Sequence, residues 1–307
     1  MPVLTLSYAI HTLDNQKLLA PGARIVKETL DNLISSNKTV SYKSYPLLHH
    51  GTVREDIIIS LNSLPYHAIF ANDRLRDTLK LMEAVRLIPP VLQSLDYFKR
   101  YDIYTYRHIL VVFSLCTLLA GHLISDHKDL IREAATGPTH DFGKICVPLC
   151  ILKKASPLTH AERSMLEHHA AAGYVLLNYY YRDAENLSAR VARDHHERRD
   201  CSGYPCGIAL DDKLIEIIAV SDIYDALVSE RPYRPVAYDN RTALEEITSM
   251  AERDEISWEV VRALVAYNRR NKADLKDVRV SEEKRGASPP GNLYGVTGEE
   301  REGPHEV

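Results

Sequence analysis

Residues 104–124 read YTYRHILVVFSLCTLLAGHLI. Apolar side chains dominate this run at the spacing of a helix, and the run begins beside His108. Ser114, Thr117 and His122 interrupt the segment Ile109–Ile124, which leaves it too short and too polar to cross a bilayer. It reads as a buried helix, and a domain organised around such a helix is mainly α.

Working outward, the pattern stays helical. Leu75, Leu79, Leu81, Met82 and Val85 share one face before a break at Pro89-Pro90. Further helices are expected at Thr159–Asn178, Leu187–His196, Leu214–Val228, Asn240–Ala251 and Trp258–Asn271. The texture before Asn72 differs: short apolar runs (Val3–Ile10, Ile57–Leu61) surround one helical pattern, Arg24–Ile34. Past Lys272 the chain turns charged and rich in Glu, Gly and Pro, with too few apolar residues to offset the entropy of ordering. The expected organisation is a small α/β domain at 1–71, regulatory or interacting in role, a helical domain at 72–272 and a disordered tail at 273–307.

The 307-residue chain is 45% hydrophobic, enough for a sizeable core. A net charge of −4 argues against a basic surface that tracks nucleic acid, so no DNA partner is expected and an anionic ligand needs a local basic site. The opening residues lack a basic stretch followed by an apolar one, so neither a secretory signal nor a membrane span is expected, and the protein is expected in the cytoplasm. Five cysteines, none paired at zinc-knuckle spacing, read as free thiols of a reducing compartment.

The helical region collects His108, His140-Asp141, His169, His195-His196 and Asp222. Imidazole and carboxylate donors together suit Fe, Mn, Zn or Ni, whereas Ca and Mg prefer oxygen alone. The adjacent pair His140-Asp141 is the sharpest feature: a carboxylate has two oxygens and bridges two cations while its neighbour binds one of them. Any one of these histidines reads as an ordinary core or surface residue; seven candidates in one helical region read as a cage.

At these residues the sequence resembles the HD-GYP family, a branch of the HD phosphohydrolase superfamily whose known members hydrolyse cyclic di-GMP. His140-Asp141-Phe142-Gly143-Lys144 is similar to the family's HD-x-G-K core, followed by Ile145-Cys146-Val147-Pro148 and Leu158-Thr159. His195-His196-Glu197-Arg198-Arg199-Asp200-Cys201-Ser202-Gly203-Tyr204-Pro205 resembles the HHE…GYP signature. Asp222-Ile223-Tyr224-Asp225-Ala226-Leu227 and Arg231-Pro232-Tyr233-Arg234 resemble its D-x-x-DAL and RPY segments. The resemblance covers about Pro89 to Asn271 and implies an HD-type helical bundle. It departs from the pattern in four places. The usual glycine is Cys201, Ala155-Ser156 replace Pro-Gly, the loop from Pro205 to Asp222 is about two residues short, and Tyr104 stands where members with three metals carry a glutamate.

The resemblance implies a dinuclear centre, Fe or Mn first with Ni or Zn as alternatives. One ion would take His108, His140, Asp141 and Asp222; Asp141 would bridge to a second held by His169 and His195, with His196 a ligand or its supporting neighbour. A metal-bridging hydroxide would then cleave cyclic di-GMP to linear pGpG, GMP or both, and the loss of the glutamate at Tyr104 implies two metals rather than three. Lys144 is a candidate to reach a phosphate oxygen or protonate the departing ribose oxygen. Arg231 and Arg234 offer the fork geometry a phosphodiester requires, against the reading of ordinary surface arginines. Tyr204 presents a ring to guanine, a hydroxyl to phosphate, or simply packs its loop. The expected substrate is a cyclic dinucleotide, and a diguanylate cyclase (GGDEF) partner and a homodimer fit the same resemblance. The competing readings are a different HD-type enzyme on the same cage, such as a nucleotide phosphohydrolase or a di-iron oxygenase, and a receptor that keeps the cage and has lost turnover.

Overall fold

A computed structural model describes residues 3–37, 41–126, 130–131, 134–232, 236–269, 284–287 and 289. The first part contains strands β1 (Leu4–Thr5), β2 (Ile10–His11), β3 (Lys17–Leu19) and β4 (Arg24–Ile25), then α1 (Lys27–Ser36), β5 (Tyr45–Pro46), α2 (Val53–Leu61), α3 (Tyr66–Ile69), α4 (Arg74–Met82) and β6 (Arg86–Leu87). The strands form three antiparallel two-stranded pairs, β1 with β4, β2 with β3, and β5 with β6. The helical part follows with α5 (Pro89–Tyr101), α6 (Ile103–Leu123), α7 (Leu149–Leu152), α8 (His160–Tyr181), α9 (Leu187–Asp194), α10 (Lys213–Val228), α11 (Asn240–Glu252) and α12 (Trp258–Asn268). The expected mainly helical domain preceded by a small α/β part is the observed architecture.

Local chemistry sets the helix ends. Pro89 and Pro90 do not break a helix but begin α5, where a missing N–H costs nothing. Asp102 caps α6 by accepting from the Thr105 amide, and Thr159 with Glu162 forms a capping box at the start of α8. Two expectations shift. The run Ile57–Leu61 ends helix α2 rather than forming a strand, because Val53, Ile57, Ser60 and Leu61 repeat at helical spacing and bury together. The first helix begins at Lys27, since Arg24 and Ile25 pair with β1 instead.

Helix α6 is long and apolar enough to span a membrane by composition, yet most of it is buried within the protein, packed by α2, α4, α5, α10 and α12. One hydrophobic core runs from Leu6 to Val265 and crosses the expected boundary at residues 71 and 72. The expected disordered stretch, 273–307, lies outside the described residues apart from 284–287 and 289.

Candidate metal centre

Five segments deliver the seven predicted ligands to one place. His108 comes from α6; His140 and Asp141 sit between two 3-10 turns, Gly137–Thr139 and Phe142–Cys146; His169 comes from α8. His195 and His196 follow the last turn of α9, and Asp222 lies on α10. Close packing fixes the turn that carries His140 and Asp141. A side chain at Gly143 would collide with the His169 carbonyl and the Gly173 amide, so only glycine lets the turn press onto α8.

The ligand atoms fall into two groups, His108 with His140 and Asp222, and His169 with His195 and His196; within each group they lie within 4.8 Å of one another. Asp141 stands between the groups. Its Oδ2 is 3.5 Å from His108 Nε2 and 3.4 Å from His140 Nε2, while its Oδ1 is 3.5 Å from His169 Nε2 and 4.0 Å from His195 Nε2. That Oδ1 is buried without a hydrogen-bond partner, a costly state for a carboxylate oxygen unless a cation meets it.

The ring orientations favour the same occupant. His140 Nδ1 donates to the Gly137 carbonyl at 2.7 Å, His169 Nδ1 to Leu166 at 2.6 Å, and His195 Nδ1 to Ala192 at 3.0 Å. A carbonyl at Nδ1 requires the proton there, which leaves each Nε2 with an inward lone pair. These nitrogens approach one another closely: 3.1 Å for His196 to His169 and 3.4 Å for His169 to His195. Burial pushes His169 down to about 4 and His195 down to about 3, and holds His196 well below its usual value, so the inward nitrogens resist protonation near neutrality. Burial acts to raise the carboxyls of Asp141 and Asp222, but the Lys144 charge beside Asp141 and the His108 hydrogen bond to Asp222 outweigh it, and both stay well below the ordinary range. Converging lone pairs and two ionised carboxylates fit a pair of cations.

Around the cage, Lys144 Nζ lies 2.6 Å from Asp141 Oδ2, and the Tyr204 ring stacks on His196 at 4.5 Å. The loop bearing Tyr204 hangs on Glu197. This fully buried carboxylate accepts from the Cys206 amide at 2.6 Å and the Ile208 amide at 3.0 Å, a role that sequence reasoning did not assign although Glu197 belongs to the HHE string. Arg231 is buried and turned inward, with its guanidinium 3.2 Å from Asp225 Oδ2. Arg234 lies outside the described residues. Asp225 Oδ2 also meets His108 Nδ1 at 2.5 Å, so it orients that ring as the carboxylate behind a metal histidine does. A second residue that sequence reading missed, Tyr66, reaches Asp225 from α3; no periodicity or motif marks it.

A family described as the HD domain matches residues 93–257. The chain belongs to the HD domain family. Within it, the HD, HHE…GYP and D-x-x-DAL strings resemble those of the HD-GYP branch. This HD domain chain is 39% identical over 167 residues to a cyclic di-GMP phosphodiesterase of Pseudomonas aeruginosa, covering 53% of this chain and 39% of that one. It is 40% identical over 113 residues to the cyclic di-GMP phosphodiesterase response regulator RpfG of Xanthomonas campestris, covering 36% and 30%. Against a 3'3'-cGAMP-specific phosphodiesterase of Vibrio cholerae the identity is 34% over 134 residues, covering 42% and 25%. The HD domain chain thus spans well under half the length of these relatives.

Proposed function

We propose that this HD domain chain is a metal-dependent phosphodiesterase that hydrolyses cyclic di-GMP to linear pGpG, GMP or both. The observation that carries the proposal is Asp141, whose two oxygens face two separate ligand groups inside the protein. Relatives named as phosphodiesterases of cyclic di-GMP and of 3'3'-cGAMP support the substrate class.

The six grouped ligands and Asp141 would hold two cations, Fe or Mn first and Ni or Zn as alternatives. When bound, such a pair lowers the pKa of a shared water toward neutrality and neutralises charge building on the phosphoryl oxygens. The chain's own residues supply the rest. Lys144 carries a proton at Nζ beside the cage, placed to meet a phosphate oxygen or the departing ribose oxygen. Tyr204, held by the Glu197 clamp, offers a ring face or hydroxyl to the nucleotide at the His196 side. Arg231 instead serves the cage through Asp225, which leaves Arg234 as the arginine proposed to grip the phosphodiester. Tyr104, one turn before His108, is 42% exposed and offers a phenol in place of a carboxylate, a poor third-site ligand, so two equivalents are proposed. The same reading places the chain in the cytoplasm with a cyclic dinucleotide, and extends to a diguanylate cyclase partner and a homodimer.

A receptor reading gains one specific support: Cys201, in the GYP loop, holds a left-handed backbone (φ 66°) where the family's usual residue is glycine. Incubating Mn-loaded or Fe-loaded protein with cyclic di-GMP, the mixed guanine–adenine dinucleotide and common phosphate esters, then separating the products, tests both. Linear pGpG or GMP supports the phosphodiesterase. Binding of cyclic di-GMP by fully loaded protein without product establishes the receptor instead, and cleavage of simple esters alone points to a different HD-type hydrolase.

A further inference from the structure

Tyr66 lies outside the stretch matched to the HD domain, on the four-residue helix α3, and is fully buried. Its hydroxyl donates to Asp225 Oδ1 and sits 2.8 Å from Ser229 Oγ, which itself bonds Asp225 Oδ1 at 2.9 Å. The other oxygen of Asp225 receives His108 Nδ1 at 2.5 Å and Arg231 at 3.2 Å. His108 Nε2 faces Asp222 Oδ1 at 2.9 Å, inside the cage. A continuous chain of hydrogen bonds therefore runs from the α/β part of the molecule to a ligand nitrogen.

We propose that Tyr66 is a positioning residue through which the part of the chain before the HD domain sets the metal affinity of the His108–His140–Asp222 group. The inference rests on the dinuclear reading above. A carboxylate has two faces and rotates about its Cβ–Cγ axis; donors on Oδ1 stop that rotation. With Tyr66 and Ser229 on Oδ1, Oδ2 is left aimed at His108 Nδ1, which fixes the tautomer and aims Nε2 inward. Burial, then the adjacent Asp225 charge, keeps the phenol protonated far above neutral pH, so it acts as a constant donor. Movement of α3 against α10 would break this contact without touching any ligand, which gives the α/β part a physical handle on one of the two ions.

The test is equilibrium dialysis of the metal-stripped full chain against Mn2+, with bound metal read by elemental analysis, on wild type, Tyr66→Phe and Tyr224→Phe. Phe keeps the ring at position 66 and its edge contact with Tyr224 at 6.4 Å. Tyr224 is an equally buried phenol whose hydroxyl bonds Asn240 and Asn268 rather than Asp225, so its variant reports the cost of losing a buried hydroxyl outside the relay. The expected result is two equivalents in wild type and Tyr224→Phe, with one of the two bound at least about tenfold more weakly in Tyr66→Phe. Equal uptake by Tyr66→Phe and a two-metal wild type overturns the inference alone. A wild type that takes up no metal overturns the dinuclear reading and this inference with it. Should Tyr66→Phe fail to fold, Asp225→Asn tests the same relay from its centre, and retention of both equivalents at wild-type affinity overturns it.

Discussion

Asp141 carries more of the site than any neighbour, because it is fully buried and each of its oxygens faces a different group of ligands. Asp141→Ala is expected to lose both metals and all turnover; elemental analysis showing two metals per chain in the variant would mean the cage is drawn wrongly. Arg231 leads elsewhere than its motif suggests. As a substrate arm its removal would raise KM at constant metal content, but it is buried against Asp225, and removing it takes the guanidinium from an interior carboxylate that keeps only the hydrogen bonds of His108, Tyr66 and Ser229. Arg231→Ala is therefore expected to destabilise the fold by about 3 kcal/mol and to lower bound metal. A melting temperature and metal content equal to wild type, with only KM raised, would return it to the substrate. At this scale the sequence was informative where ligands sit in strings such as His140-Asp141 and His195-His196, since adjacency itself restricts geometry. It was silent about Tyr66, whose partner lies 159 residues away and whose surroundings carry no pattern.

The helices were legible for a related reason: a buried face repeats every three or four residues, as in α6 and α8, whereas the two-residue strands are too short for alternation to register. The run Ile57–Leu61 misled because a few consecutive apolar residues suit a strand and the end of a helix equally well. The GYP loop was legible as a string but not as a shape. Glu197 holds it from beneath, a side chain at Gly203 would strike the backbone of His196 and Glu197, and Cys201 takes a left-handed conformation that costs a residue with a Cβ about 1 kcal/mol. Cys201→Gly is accordingly expected to raise stability by up to that amount in urea unfolding, with metal content unchanged. A loss of stability would show that the thiol makes contacts outweighing the backbone strain.

Across the whole molecule, buried side chains before and after residue 71 share one core: α2 packs on α6, and α1 packs on α8. A chain starting at Asn72 would expose those faces of α6 and α8 to water, and it is expected to be insoluble or to lack a cooperative thermal transition. A soluble, cooperatively melting chain from Asn72 would show that the helical part stands alone. The depth of the cage has a further consequence, one of time rather than affinity. His108, His140, Asp141, His169 and His195 are at most 2% exposed, whereas His196 and Asp222 lie nearer the surface beside Tyr204. Ions would pass on that side, and their exchange would wait on excursions of the loop that Glu197 holds down. Such a protein would keep a memory: any ions held there would reflect what surrounded the chain when it last opened or folded, and a later change of medium would register only as fast as the loop lets go.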